Sequence, residues 1–286
     1  MHLPKINSKS ILNFIKDKRV IVCTCILALL SANFVLFKGR GDLVEVTAPV
    51  ALSNKVLKWG ILRNNRNQPP AADPGAPELI KRYGGVYVGN TEKKEVFITF
   101  DEGYEAGYTS KILDVLKQNS ANAVFFITGH YLKQNEALVR RMVDEGHVVG
   151  NHTDKHPSLP EVDDQRVKDE VVNLDTDFYR KFGQHTRFLR APKGEYSERT
   201  LALTQKLGYI NMFWSFAYED WYRDKVRGGN YAYDIVTKNF HNGAIILLHA
   251  VSKDNADGLD SIIKFARSNG YEIGDARKTW LKAEAD

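Results

Sequence analysis

VFITFDEGYEAGYTSKILDVLKQNSANAVFFI, residues 96–127, reads as strand, helix, strand. Val96–Phe100 and Ala123–Ile127 are short apolar runs, and Thr109–Gln118 between them is a helical stretch. The alternation continues outward. Further strands are expected at His147–Gly150, Arg187–Leu189, Tyr209–Trp214, Ala244–Leu248 and Tyr271–Ile273. Helices are expected at Glu136–Glu145, Asp163–Phe182, Glu198–Leu207, Ala232–Phe240 and Gly258–Ser268. Strands alternating with helices argue an α/β fold with parallel strands. Seven strands suit a distorted (β/α)7 barrel over residues 81–286, with an open doubly wound sheet as the alternative.

Ahead of this pattern the chain changes character. Residues 38–80 carry the stretch RNNRNQPPAADPGAP (Arg63 to Pro77), rich in Pro, Asn and Ala and without an apolar period, and read as a linker or extended arm. Val20 to Phe37 form a nearly unbroken apolar run, preceded over residues 1–19 by Lys5, Lys9, Lys16, Lys18 and Arg19 against one acid, Asp17. Such a run can just cross a bilayer, and its basic flank stays on the cytoplasmic side. The run is read as a transmembrane anchor; a cleaved signal peptide or a buried core helix are the rival readings. The rest of the chain is then extracytoplasmic, in the cell wall. Cys23 and Cys25 both lie in the run, so the exported part holds no disulfide and depends on a large core. The net charge of +5 and pI near 9.0 mildly favour anionic surroundings such as wall polymers or lipid headgroups. No nucleic-acid-binding pattern is present, and a monomer is expected.

Five expected strands end in residues able to do chemistry. VFITF leads into Asp101 and Glu102, and HVVG into Asn151 and His152, with His156 four residues on. FL leads into Arg190, YINMFW into a loop carrying Asp220 and Trp221, and AIILL into His249. In α/β folds the catalytic groups gather at the carboxyl ends of the strands. Singly, each has a plainer explanation: a helix cap for the Asp-Glu pair, a turn for R-x-P-x-G, a satisfied structural histidine for His249. Together they supply the parts of a metal-assisted hydrolysis. Two imidazoles and a carboxylate can hold a divalent metal, a second carboxylate can take a proton from water, and a histidine can protonate a leaving amine.

In this order the motifs resemble those of the polysaccharide deacetylases, the NodB-homology or carbohydrate esterase 4 family. Thr99-Phe100-Asp101-Glu102-Gly103 is similar to T-F-D-D-G, His152-Thr153-Asp154-Lys155-His156 to H-[ST]-x-x-H, and Arg190-Ala191-Pro192-Lys193-Gly194 to R-x-P-x-G. Asp220-Trp221 and Leu247-Leu248-His249 resemble the fourth and fifth motifs. The resemblance implies Asp101 as general base, tuned by Arg190, and His249 as general acid with Asp220 as its charge partner. It implies Glu102, His152 and His156 as ligands of a divalent metal, with zinc favoured and manganese or cobalt also fitting. It further implies that the Tyr196 N–H helps hold an oxyanion and that Leu247 and Trp221 line a pocket for the acetyl methyl. Glu102 departs from the family pattern, because an Asp is usual there and the extra methylene displaces the carboxylate.

TFDEGYEAGYT, ITGHYLK, FWSFAYEDW, YAYD and LLHAVSKDNADGLD look like the delta-lactam-biosynthetic de-N-acetylases of spore-forming Firmicutes. That group implies removal of acetyl from N-acetylmuramic acid in peptide-stripped glycan, leading to muramic δ-lactam in the spore cortex. Lys193, at the variable position of R-x-P-x-G, is a candidate partner for the lactyl carboxylate of muramic acid. Two other readings compete: an N-acetylglucosamine deacetylase acting on wall glycan or chitin, and an inactive wall-glycan-binding homologue.

Overall fold

The computed structural model describes residues 52–64, 67–222 and 224–281. The expected anchor, with its basic segment, lies outside the described residues; among these no helix is long and apolar enough to cross a membrane. The compact unit begins at Leu52. The described residues between Leu52 and Arg82 belong to this unit and form an arm laid on it. The arm carries three short strands, β1 (Leu57–Lys58), β2 (Ile61–Leu62) and β3 (Ala71–Ala72), and the helix Ala76–Arg82.

The main sheet contains β4 (Glu95–Glu102), β5 (Ala123–Ile127), β6 (Val148–Asn151), β7 (Phe188–Leu189), β9 (Ile210–Asn211), β10 (Ala244–His249) and β11 (Glu272–Ile273). A further short strand, β8 (Glu195–Tyr196), pairs antiparallel with β1. The order in the main sheet is β10-β4-β5-β6-β7-β9, with β11 beside the start of β4, and every pairing is parallel. The sheet curls into a half-barrel. Among the described residues β9 and β10 share no ladder, and the isolated bridges Val86–Met212, Val88–Ala244 and Phe216–Ile246 span the gap instead. The strand expected over Tyr209–Trp214 is thus short, Ile210–Asn211, and of its later residues Met212 forms a single bridge, to Val86, as the chain bends around the curl.

Successive side chains on a strand face opposite ways, and this divides the core in two. Val96, Ile98 and Phe100 face outward. There they meet Ile112, Leu113 and Leu116 of the helix Thr109–Gln118 and Leu259, Ile262 and Ile263 of the helix Lys253–Ser268. Phe97 faces the inside of the curl, with Val124, Phe126, Val148, Phe188, Met212 and Ile245. Trp280 closes the lower end of this inner core, its ring 4.4 Å from that of Phe97. Gly150 is required here, because a Cβ at this position would lie 2.6 Å from the Phe126 ring.

The helices start where capping residues permit. Asp163 caps Asp164–Phe182 through Arg166 N, and Gly183, at φ 68°, ends it in the left-handed conformation. Ser252 caps Lys253–Ser268 through Asn255 N, so this helix begins five residues before the expected Gly258. The helix expected at Ala232–Phe240 spans Gly229–Thr237.

Candidate active site

The carboxyl ends of the parallel strands open into a cleft with two arms, of about 680 and 510 Å³. Asp101, His152, His156, Trp221 and His249 line both arms. Asp101 and His249 are register neighbours on β4 and β10. Adjacent strands lie about 4.8 Å apart, so the sheet itself sets these two groups side by side.

Asp101 is 7% exposed. Its Oδ1 accepts a hydrogen bond from Arg190 Nη1 at 2.8 Å, and its Oδ2 lies 3.5 Å from His152 Nε2. Burial pushes the Asp101 carboxyl up, but the charges of Arg190 and His249, with the Arg190 hydrogen bond, hold it below its ordinary value. Arg190 is itself buried. Its Nη1 also donates to Thr99 Oγ1 at 2.8 Å, its Nε to Met212 O at 3.1 Å and its Nη2 to Phe213 O at 3.4 Å. The guanidinium lies 4.1 Å above the Phe126 ring. So many fixed partners leave it one position, aimed at Asp101.

His249 pairs with Asp220 twice: its Nδ1 lies 2.7 Å from Oδ1, and its backbone N–H donates to Oδ2 at 2.8 Å. Asn255 Nδ2 also donates to Asp220 Oδ2, at 2.6 Å. Burial pushes the His249 imidazole down, but the Asp220 charge and hydrogen bond, with Asp101 behind them, raise it above its ordinary value. One carboxylate is thus shifted toward its ionised form and one imidazole toward its protonated form beside it. That is the division of labour an acid–base pair needs. Trp221, 45% exposed, stands edge-on to His249 at 5.7 Å, and Leu247 lines the larger arm.

His152 and His156 sit on a turn after β6. Thr153 and His156 take positive φ, 69° and 58°. The Asn151 side chain ties the turn down by accepting from Thr153 N at 2.8 Å and donating to Val171 O at 2.9 Å. His152 Nδ1 lies 2.8 Å from Arg190 O. A carbonyl only accepts, so Nδ1 carries the proton and Nε2 presents a lone pair. His156 Nε2 lies 3.1 Å from His152 Nε2. Two nitrogens each about 2.1 Å from one ion stand about 2.9–3.4 Å apart, so the pair fits a shared cation. Burial pushes His156 down to about 4, which keeps it neutral.

Glu102 does not join them. It follows Val96, Ile98 and Phe100 onto the outer face of β4, is fully buried, and lines neither arm of the cleft. Its Oε1 accepts from Thr109 Oγ1 at 3.5 Å, and Oε2 has no hydrogen-bond partner. Burial, with Glu105 and Asp101 nearby, raises this carboxyl well above its ordinary value. Among the described residues no group of three or more His, Cys, Asp or Glu side chains is arranged to hold a metal ion. The expected three-donor set is therefore not assembled: the two imidazoles fit, and Glu102 does not.

Tyr196 is also displaced from its expected place. Its N–H belongs to β8, in register with Leu57 of β1, and its ring is buried against Phe213, 5.0 Å away, without lining the cleft. Lys193, at φ 57°, reaches the larger arm from the turn before β8. Two groups that sequence reasoning missed complete the site. Asn255 locks Asp220, and Arg63 lines the larger arm from the N-terminal side. Asn255 had a signal, Ser252-x-x-Asn255 at a helix start; Arg63 had none.

A family model described as Polysaccharide deacetylase matches residues 88–212. An uncharacterized 30.6 kDa protein of Geobacillus stearothermophilus is 50% identical over 222 residues, which is 77% of this chain and 84% of that protein. The peptidoglycan-N-acetylmuramic acid deacetylase PdaA of Bacillus subtilis (strain 168) is 43% identical over 222 residues, with the same two shares. The solved structure of Bacillus subtilis PdaA, described as a family 4 carbohydrate esterase, matches with a TM-score of 0.78 at 41% identity, covering 80% of this chain and 98% of that one.

Proposed function

The chain belongs to the polysaccharide deacetylase family, hydrolases of carbohydrate amides, and from that premise we propose that it removes acetyl groups from N-acetylmuramic acid in peptidoglycan. The observation that carries the chemistry is the pairing of Asp101 with His249 at one register position, the first with a lowered and the second with a raised pKa. Asp101 takes a proton from water as its oxygen adds to the acetyl carbonyl. The tetrahedral adduct collapses when His249 gives a proton to the amide nitrogen, and the C–N bond breaks to leave acetate and a free amine. Arg190 keeps Asp101 ionised, and Asp220 keeps His249 oriented and charged. Leu247 and Trp221 border the acetyl methyl.

Members of the family are generally metal-dependent. Here His152 and His156 would offer two nitrogens to a divalent ion, which would polarise the acetyl carbonyl; among the described residues Glu102 does not join them as a third donor.

The two arms of the cleft meet at the acid–base pair, which suits a sugar inside a glycan strand, with neighbours on both sides. Muramic acid as the substrate sugar rests on the likeness to PdaA and on Lys193, a cation in the larger arm able to meet a lactyl carboxylate. The freed amine and that carboxylate share one sugar. Their condensation, with loss of water, closes a six-membered lactam whose proximity is built into the substrate. This reading places the enzyme outside the membrane, at the spore cortex, held by its N-terminal segment.

Acetate release from peptide-stripped peptidoglycan, with and without a chelator, tests the proposal. Acetate is expected from muramic residues. Release from glucosamine residues alone would overturn the substrate, and no release from any glycan would overturn the enzyme. Because Glu102 stands apart from the two imidazoles, dialysis against chelator is expected to strip any bound ion readily.

A further inference from the structure

Arg63 comes from the arm, outside the half-barrel, yet it lines the same 680 Å³ arm of the cleft as Lys193. The arm is fastened where it passes the Arg190–Gly194 turn. Trp59 N donates to Gly194 O and Trp59 Nε1 to Trp214 O, both at 2.8 Å. β2 then pairs with β3, and directly after β2 the Arg63 Nη2 donates to Ala217 O at 2.6 Å. The guanidinium lies 5.2 Å from the centre of the Phe216 ring. One N–H is thus committed to a carbonyl, and the rest of the planar fork remains for a ligand.

The charges around it are unbalanced. The carboxylates of this arm are already paired, Asp101 with Arg190 and Glu219 with Lys225 at 2.8 Å. Arg63 and Lys193 form no ion pair among the described residues, and both face the cleft. Both cations are exposed at the mouth of this arm, beside an apolar wall of Trp214 and Leu247, and a neutral glycan would offer them no counter-charge. A sugar bearing a carboxylate would neutralise them, and an arginine fork binds a carboxylate with two parallel bonds.

We propose that Arg63, delivered by the N-terminal arm, is a specificity-determining residue that acts with Lys193 to bind the carboxylate of the substrate sugar. The inference rests on the muramic acid reading above and adds a residue and a segment to it. The arm becomes part of the site, and its docking becomes a condition of substrate selection.

The test compares kcat/KM on peptide-stripped muramic glycan with kcat/KM on the same glycan after methyl esterification of its carboxylates. The intact protein is expected to prefer the acid. In Arg63→Met, which keeps an unbranched side chain without the charge, that preference should fall about tenfold, mainly through KM, as expected for losing a charge-assisted contact. Arg63→Lys should retain an intermediate preference, and added salt should raise KM for the acid more in the parent than in Arg63→Met. An Arg63→Met protein that keeps the full preference overturns the proposal. So does equal loss on acid and ester, because a residue that merely latches the arm would act on both alike. A parent protein that deacetylates acid and ester equally well also overturns it, while leaving deacetylation standing. A parent that releases no acetate from muramic glycan overturns the underlying reading instead.

Discussion

Asp220 shows how much one side chain can set. Its carboxylate is buried between His249 Nδ1, the His249 backbone N–H and Asn255 Nδ2, all within 2.8 Å. It orients the ring so that Nε2 is left for the cleft, and it raises the imidazole pKa above its ordinary 6.5. An acid catalyst must be protonated, so kcat/KM should fall as pH rises through this raised value. In Asp220→Asn the charge is lost while the shape is kept. The alkaline limb should then move to lower pH, and kcat should drop by roughly 10²–10⁴-fold. A pH–rate profile measured on both proteins checks this, and an alkaline limb that stays in place would sink the assignment. The partner of His249 was weakly legible in the sequence, since Asp220 is 29 residues away, with the helix Gly229–Thr237 and β10 between them, and no local pattern joins the two. Glu102 was legible by a different rule. In VFITFDE, Phe97 and Asp101 fall on one face of a strand and Phe100 and Glu102 on the other, so adjacency in sequence separates the two carboxylates in space. Motif matching groups them, and strand geometry divides them.

At the scale of elements, the helix Asp164–Phe182 holds the histidine turn in place. Glu170, 2% exposed, accepts from Lys155 N at 2.6 Å through Oε2 and pairs with Arg166 at 2.5 Å through Oε1, and its backbone carbonyl accepts from Asp154 N at 2.9 Å. These bonds hold a turn in which Thr153 and His156 adopt left-handed backbone, which costs of order 1 kcal/mol per residue. Glu170→Ala should therefore destabilise the fold by about 1–3 kcal/mol and lower kcat/KM roughly tenfold through a looser His156. Glu170→Gln, which still accepts from Lys155 N, should recover most of both. Thermal unfolding read beside kinetics separates the outcomes, and an alanine variant with unchanged kcat/KM would show that the turn holds itself. Elements of this size were the legible part of the fold. β5 and the helix Thr109–Gln118 lie where the sequence places them, because each has an apolar pattern long enough to read. β7 and β9 fall inside the expected Arg187–Leu189 and Tyr209–Trp214 but keep only two residues each, and β8, equally short, has no period to read and was not expected. The arm has a linker's composition. Its order comes from Trp59 and from backbone bonds to distant residues, which no local pattern announces.

For the whole molecule, seven strands in sequence do not say whether a sheet closes. The curl depends on contacts such as Phe126 over Gly150 and Trp280 beneath Phe97, which join segments far apart in the chain. The same burial makes global stability depend on pH. His147 lies 4% exposed against Phe125, accepts from Ala123 N at 3.4 Å through Nδ1, and has no hydrogen-bond partner at Nε2. Burial pushes its pKa down to about 4; Glu145 opposes this, and Arg277 and Arg141 add to it. The unfolded chain therefore binds this proton near pH 6.5, and the folded chain does so only near 4. Between those values the unfolded state holds more protons, so stability falls as pH falls. The contribution is complete above 6.5, lost by about 4, and of order 3 kcal/mol. His241, also buried and lowered, acts in the same direction. Glu102 acts in the opposite one, since its raised carboxyl gains a proton on folding as pH falls. Only a difference between two proteins isolates His147. Glutamine at this site can accept from Ala123 N and cannot take up a proton. In urea unfolding across pH 6.5 to 4.5, His147→Gln should lose stability less steeply than the parent, with the two curves converging toward the acid end. Parallel curves would mean that His147 is protonated in the folded state as easily as in the unfolded chain, and that the buried ring contributes nothing to acid sensitivity.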